Sequence, residues 1–342
     1  MSSKRIGALA LLVVLGRFAV AALNRRRAIS LEGATAVVCG ASRGLGRAIA
    51  LELGRRGVAK MAICARHEHD LDGLAATLAR EGIQVCSEAC DLSNAQDVER
   101  FFGNVTARLG PVDVLVTNAA TITVGPATLC SKADVDEAFS SIFYTALNPI
   151  LSAMPWMRHR RRGTIAVVTS LGARIGLPHV GPYCAAKGAL ITFAESIRAE
   201  LARDGVNVLA VVPGPMRTGS HVHAGFKGDH AREYAWFGRS ATAPLLSIDA
   251  DRAARRIVSA IAHGKVELSF TPEARIAPVL RTLAPTLWSE MMAIAARFLP
   301  RAEDACEPNQ RWEGTKIEES SDAPAVRAVK QRGRGLAERY RQ

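Results

Sequence analysis

From Ala34 onward, short and nearly unbroken apolar runs alternate with longer stretches whose apolar residues recur every three or four positions. The short runs are Thr35–Cys39, Met61–Cys64, Gln84–Cys90, Val112–Thr117, Thr164–Thr169, Asn207–Val212 and Val266–Phe270. Near-continuous hydrophobicity is what a strand needs when both of its faces are covered. Alternation with helical periodicity therefore predicts repeated strand–helix–strand units on a parallel sheet, with helices on both faces. Right-handed crossovers then put the ligand crevice at the carboxyl ends of the strands.

The pattern changes at both ends. Ile6 to Leu23 is apolar apart from Arg17, with Lys4-Arg5 before it and Arg25-Arg26-Arg27 after it. About eighteen residues is the lower limit for crossing a bilayer, and a mid-helix arginine costs roughly 2.5–3.5 kcal/mol on insertion scales. Residues 1–28 are expected to be a membrane anchor; the alternatives are a helix lying in the interface and a signal cleaved after Ala19-Val20-Ala21. After Phe270, an apolar helical extension over 273–300 carries Trp288, Met291, Met292 and Phe298 and is interrupted by Pro278 and Pro285. Core or dimer contact is expected there, with a membrane-dipping lid as the alternative. The charged tail 301–342 is expected to be disordered or to hold one loosely docked helix near Ala323–Arg341.

A chain of 342 residues, 49% apolar and 22% charged, fits one large globular domain with extensions. Of the seven cysteines, none in C-x-x-C spacing, Cys39 and Cys64 fall in predicted strands, which points to buried reduced thiols and a reducing compartment. His67/His69 and His221/His223 lack further ligands at suitable spacing, so no metal site is expected. A net charge of +12 suits an anionic partner, but with 5% aromatic residues and no reading motif it argues for a membrane surface or solvated charge rather than nucleic acid.

Two clusters carry chemistry. Gly40-Ala41-Ser42-Arg43-Gly44-Leu45-Gly46 joins the first predicted strand to a helix. Glycines there let backbone approach a pyrophosphate, which helix N–H groups then hold. The second predicted strand ends Cys64-Ala65-Arg66, with a cation where a carboxylate would bind ribose hydroxyls; Arg66 and Arg43 together predict a 2′-phosphate and hence NADP(H). Ser170 follows the fifth predicted strand, and Tyr183 and Lys187 lie four apart on the next helix, on one face. An ammonium beside a phenol favours phenolate, so the pair is expected to work as an acid/base of lowered pKa.

In this order the motifs resemble the short-chain dehydrogenase/reductase family, from about Gly33 to Phe270. The resemblance implies an α/β Rossmann-like, doubly wound, seven-stranded parallel sheet in a single catalytic domain over 29–272. It implies an NADP(H)-dependent oxidoreductase that interconverts an alcohol and a ketone or aldehyde, the substrate being a small apolar molecule. Ser170, Tyr183 and Lys187 match the catalytic set, with Lys187 also reaching the nicotinamide ribose. Gly40, Ser42, Arg43, Gly44, Leu45, Gly46 and Arg66 match the nucleotide loop and its selector, although Cys39 stands where Thr is usual. Asp91-Leu92 matches the adenine contact, Asn118-Ala119 the motif ending the fourth strand, and Pro213, Gly214 and Thr218 the segment near the nicotinamide. Copies are implied to pair into a homo-oligomer through the helices up to and including the one with Tyr183.

One position departs from the family. Ile142 stands where a catalytic Asn is usual, and Asn148 is on another helical face. A slower proton relay, bridged by another water or by Ser141, is expected. The competing function is a nucleotide-binding sensor or scaffold without turnover. The segment from Thr218 to about Ser247, with His221, His223, Tyr234, Trp236 and Phe237, and His179 outside it, is expected to set specificity as a mobile lid. The anchor would leave the catalytic domain cytoplasmic; the alternative is a soluble cytoplasmic protein.

Overall fold

In the computed structural model, which describes residues 16, 18–242, 247–304 and 307–340, each predicted apolar run contributes a strand to one parallel sheet. The strands are β1 Thr35–Cys39, β2 Lys60–Ala65, β3 Gln84–Ala89, β4 Val114–Thr117, β5 Gly163–Val168, β6 Val206–Val211 and β7 Glu267–Leu268. Their order is β7-β6-β5-β4-β1-β2-β3. The switch in winding falls at β1, which pairs with β2 on one side and β4 on the other. Outside the carboxyl ends of those strands is where an open α/β sheet presents its crevice.

The double winding follows from residue alternation along the strands. Ala36, Val38, Met61 and Ile63 face helices α1 Gly44–Arg55, α2 Asp72–Arg80 and α8 Ala250–Ala262. Val37, Cys39, Ala62 and Cys64 face α3 Ala95–Leu109, α5 Thr145–His159 and α6 Gly181–Leu201. Two fully covered faces explain the uninterrupted apolar runs. Cys39, Cys64, Cys86 and Cys90 are buried free thiols.

Three expectations change at the chain ends. Val266–Phe270 shortens to β7, because the chain turns at Phe270 and Thr271 into α9 Pro272–Leu283. Pro278 does not interrupt that helix but lies inside it, while Pro285 opens α10 Pro285–Ala296. The described part of the tail holds the expected helix, but packed rather than loosely docked: α12 Pro324–Tyr340 sets Val326 and Val329, fully buried, against α7 His230–Thr242. Before it, α11 Gly314–Ser320 buries Ile317, and Trp312–Glu313 pairs antiparallel with Gly225–Phe226. Most of Ile6–Leu23 lies outside the described residues. Residues 18–27 are helical, and among the described residues no helix is long and apolar enough to cross a membrane.

Candidate active site

The glycine loop is built so that side chains cannot enter it. Gly40 has φ +71°, and a Cβ there would lie 2.8 Å from the Ala119 Cα. At Gly46 a Cβ would lie 2.0 Å from the Gly40 carbonyl oxygen and 2.7 Å from Asn118 Nδ2. Asn118 donates to that same carbonyl at 3.2 Å, tying the end of β4 to the loop. Gly40 and Ala41 N–H groups donate to the Cys64 carbonyl, which ties the loop to β2 as well. Gly44, with φ +55°, then opens α1. The resulting cradle of bare backbone before a helix N-terminus fits a pyrophosphate.

Arg43 and Arg66 stand close enough to repel. Burial lowers the pKa of the Arg43 guanidinium and Arg66 lowers it further, while Asp70 and Glu313 oppose the shift. Glu313 comes from the tail, which no sequence motif places beside the glycine loop. His223 belongs to the same neighbourhood: burial and then Arg43 lower its pKa. Asp91, exposed after β3, accepts from the Ser93 N–H and hydroxyl. Leu92 is buried, and its carbonyl and that of Ser93 each take a 3.0 Å bond from Asn148 Nδ2. Asn148 thus shapes the turn after β3, consistent with its expected absence from the proton relay.

Ser170, Tyr183 and Lys187 converge at the carboxyl end of β5. Ser170 caps the short turn Leu171–Ala173 by accepting from the Gly172 N–H at 3.1 Å. Leu171 N–H donates to the Pro213 carbonyl at 2.7 Å, bringing the Pro213-Gly214 segment alongside. The half-buried Tyr183 phenol is pushed up to about 12 by burial, and its hydrogen bond with Ser170 opposes this by favouring phenolate. Lys187 is 3% exposed. Its Nζ donates to the Val168 carbonyl at 2.9 Å and stands 5.9 Å from the Tyr183 ring centre. Burial brings the Lys187 ammonium down to about 8.

One of the three ammonium donors goes to that backbone carbonyl, and burial disfavours the charged form of each group.

Ile142 is fully buried within a π-helical stretch, Phe139–Tyr144, between α4 Lys132–Ala138 and α5. Such stretches widen the backbone hydrogen-bond pattern and often occur at functional sites. Ser141 accepts from Thr121 Oγ1 at 2.7 Å, and the Thr145 hydroxyl reaches the carbonyls of Ala119 and Ser141 at 3.2 and 3.0 Å. Hydroxyls of Thr121, Ser141 and Thr145 thus lie along the backbone next to Ile142, the residue that stands where the family usually has Asn.

The Thr218 hydroxyl accepts from the Ser220 N–H at 3.2 Å and donates to the Ser220 hydroxyl at 2.9 Å, within its own turn. One further expectation is corrected: the described part of the segment after it is a packed cap rather than a mobile lid. Tyr234 and Phe226 are fully buried against Val326 and Val329 of the tail, and Tyr234 donates to Glu318. His221 is buried with both ring nitrogens unpartnered among the described residues, and burial brings it down to about 4. Of the named residues, Trp236 and His179 do approach the site through Glu233: His179 Nδ1 lies 2.8 Å from one carboxylate oxygen and Trp236 Nε1 donates to the other at 2.6 Å. Glu233, fully buried, was missed because it is the distant His179, 54 positions away in sequence, that ties it to the Tyr183 region, while Trp236 lies on the same helix.

A buried parallel sheet wound about β1, a glycine cradle and a Ser/Tyr/Lys group at the strands' carboxyl ends define a dinucleotide-dependent oxidoreductase. Residues 34–225 match the family described as short chain dehydrogenase, and the chain belongs to the short-chain dehydrogenase/reductase family. It is 33% identical over 185 residues to a sorbitol dehydrogenase of Cereibacter sphaeroides, spanning 54% of this chain and 71% of that protein. It is 29% identical over 279 residues to dehydrogenase/reductase SDR family member 7B of Bos taurus, 78% of this chain and 82% of the relative. Among solved structures, a metagenomic short-chain oxidoreductase in complex with NADP matches with TM-score 0.58 and 28% identity, over 71% of this chain and 99% of that one. A short-chain dehydrogenase/reductase of Burkholderia phymatum in complex with NAD shares the fold, with TM-score 0.66 and 20% identity over 76% and 96% of the two chains.

Proposed function

We propose that the protein reduces an apolar ketone or aldehyde to an alcohol with NADPH, using Tyr183 as acid, Ser170 as hydrogen-bond partner of the reacting oxygen and Lys187 as proton source and ribose anchor. The observation that carries this is the convergence of the three side chains beside the glycine cradle. When bound, the nicotinamide supplies the hydride. Tyr183 donates its phenol proton to the carbonyl oxygen, which Ser170 holds by hydrogen bond. A phenol kept protonated by burial is the form that donates a proton to the carbonyl oxygen in reduction. Leu171, Ile175, Ala274 and Ala277, packed beside the Ser170 turn, support an apolar substrate.

Arg43 and Arg66 support NADPH over NADH, because a 2′-phosphate would relieve the repulsion between two guanidinium groups. The Arg43→Ala/Arg66→Ala double variant is expected to lower the NADPH-to-NADH ratio of kcat/KM at least about tenfold, the scale of one lost charged hydrogen bond. Steady-state kinetics with each nucleotide check it, and an unchanged ratio removes the NADP assignment.

The exposed Tyr144, Leu151 and Trp156 near and on α5 support a homo-oligomer, and Phe18, Leu283, Leu287 and Phe298 support contact with a membrane surface. Ile142 supports a second reading, a nucleotide-binding protein with little turnover. Ile142→Asn is expected to raise turnover several-fold by completing the relay; tight NADPH binding without oxidation across a broad carbonyl panel, in wild type and variant alike, favours the sensor.

A further inference from the structure

At the opposite end of the strands from Tyr183, where Gly163 opens β5 and Val206 opens β6, lies a cleft of about 680 Å³. Arg26, Arg27, Arg161, Arg162 and Arg198 line it, and among the described residues no carboxylate does. Neighbouring acids satisfy little of this charge. Asp113 is 3.5 Å from Arg162 but holds Arg160 at 2.7 Å. Arg161, held at φ +52°, donates to the Arg203 carbonyl at 3.1 Å. Arg27 donates through Nε to the Leu23 carbonyl, and its buried Nη1 has no partner among the described residues. Burial lowers the pKa of Arg27, and Arg198 lowers it further.

Asp113 and Asp204 at its margin offset part of the charge, but the half-buried Arg27 and Arg198 repel one another, and such like charges are relieved by a bound anion. Guanidinium forks match phosphate in two-point contact, and the cleft is within the size range of ligand sites. One wall is the helix at residues 18–27, which leads back into the apolar stretch beginning at Ile6, with Phe18 and Val20 exposed on it. A phosphate in the cleft would thus sit beside a helix that exposes apolar side chains. We propose that this arginine cleft is a second ligand site, distinct from the dinucleotide crevice, that binds a phosphate group carried by a phospholipid headgroup or by a soluble phosphate ester.

The test uses the full chain with the dinucleotide crevice saturated by NADPH. Inorganic pyrophosphate is titrated calorimetrically, and capture is measured on phosphatidylcholine vesicles with and without phosphatidic acid. Wild type is compared with Arg27→Gln/Arg198→Gln. The expected result is a loss of at least about tenfold in pyrophosphate affinity, in the preference for phosphatidic acid, or in both, with NADPH binding retained. Loss confined to pyrophosphate identifies a soluble ligand; loss confined to vesicles identifies the lipid. Should that variant fail to fold, wild type is treated with phenylglyoxal with and without each probe. Protection of Arg27 and Arg198, mapped by mass spectrometry, then supports the site. Binding and protection indifferent to these arginines for both probes overturns the proposal.

Discussion

Tyr183→Phe is expected to lower turnover at least about a hundredfold while leaving nucleotide affinity within about twofold. A positioned general acid contributes on the order of 10²–10⁴-fold. The ring stays, so its packing against Leu177 and Val180 survives, and only the hydroxyl that meets Ser170 is removed. Because the phenol is already neutral and desolvated, the variant is not expected to lose stability at pH 7. The check is steady-state oxidation of NADPH with a responsive carbonyl substrate, alongside fluorescence titration of NADPH. A variant that keeps wild-type turnover excludes Tyr183 as the acid. Loss of turnover together with nucleotide affinity would instead mark the phenol as part of the cradle. The same comparison separates the two functional readings, since a protein that binds NADPH without oxidising it shows no difference between wild type and variant.

The sheet and the cradle were legible because one-dimensional signals determine them. A strand buried on both faces leaves an apolar run, and a cradle that excludes Cβ atoms leaves glycines at Gly40 and Gly46. The tail was not legible. Ile317, Val326 and Val329 are sparse among charges and promise little burial alone; their stabilisation comes from Phe226 and Tyr234, about ninety residues away. At roughly 25 cal/mol per Å², such side chains matter only once a partner surface is known. For the same reason Tyr234 and His221 read as lid residues, although docking of the tail turns them inward. The site's electrostatics were legible only in part: four-residue spacing places Lys187 beside Tyr183, but only the fold shows that the Val168 carbonyl accepts from the ammonium and that burial acts on both groups.

That carbonyl makes Lys187 a residue whose chemical use and structural cost can be measured separately. Its ammonium is expected near 10.5 when unfolded and is brought down to about 8 by burial. The sign follows from proton counting. Below pH 8 both states carry the proton and the folded state bears the full penalty. Between about 8 and 10.5 the folded state has released its proton while the unfolded state holds it, so stability rises with pH and levels off above that window. The penalty at pH 7 is about 3 kcal/mol, and orphaning the Val168 carbonyl returns about 1–2 kcal/mol of it. Lys187→Met should therefore be more stable than wild type at pH 7 by about 1–2 kcal/mol and lose that advantage near pH 10. Its turnover should fall at least about a hundredfold, because the phenol loses its proton source and the ribose its anchor. Urea unfolding of both proteins at the two pH values reads the difference free of other titrating groups, which cancel. A variant destabilised equally at both would show that packing rather than the buried charge governs this position, and would remove the basis for placing a functional lysine there at the expense of stability.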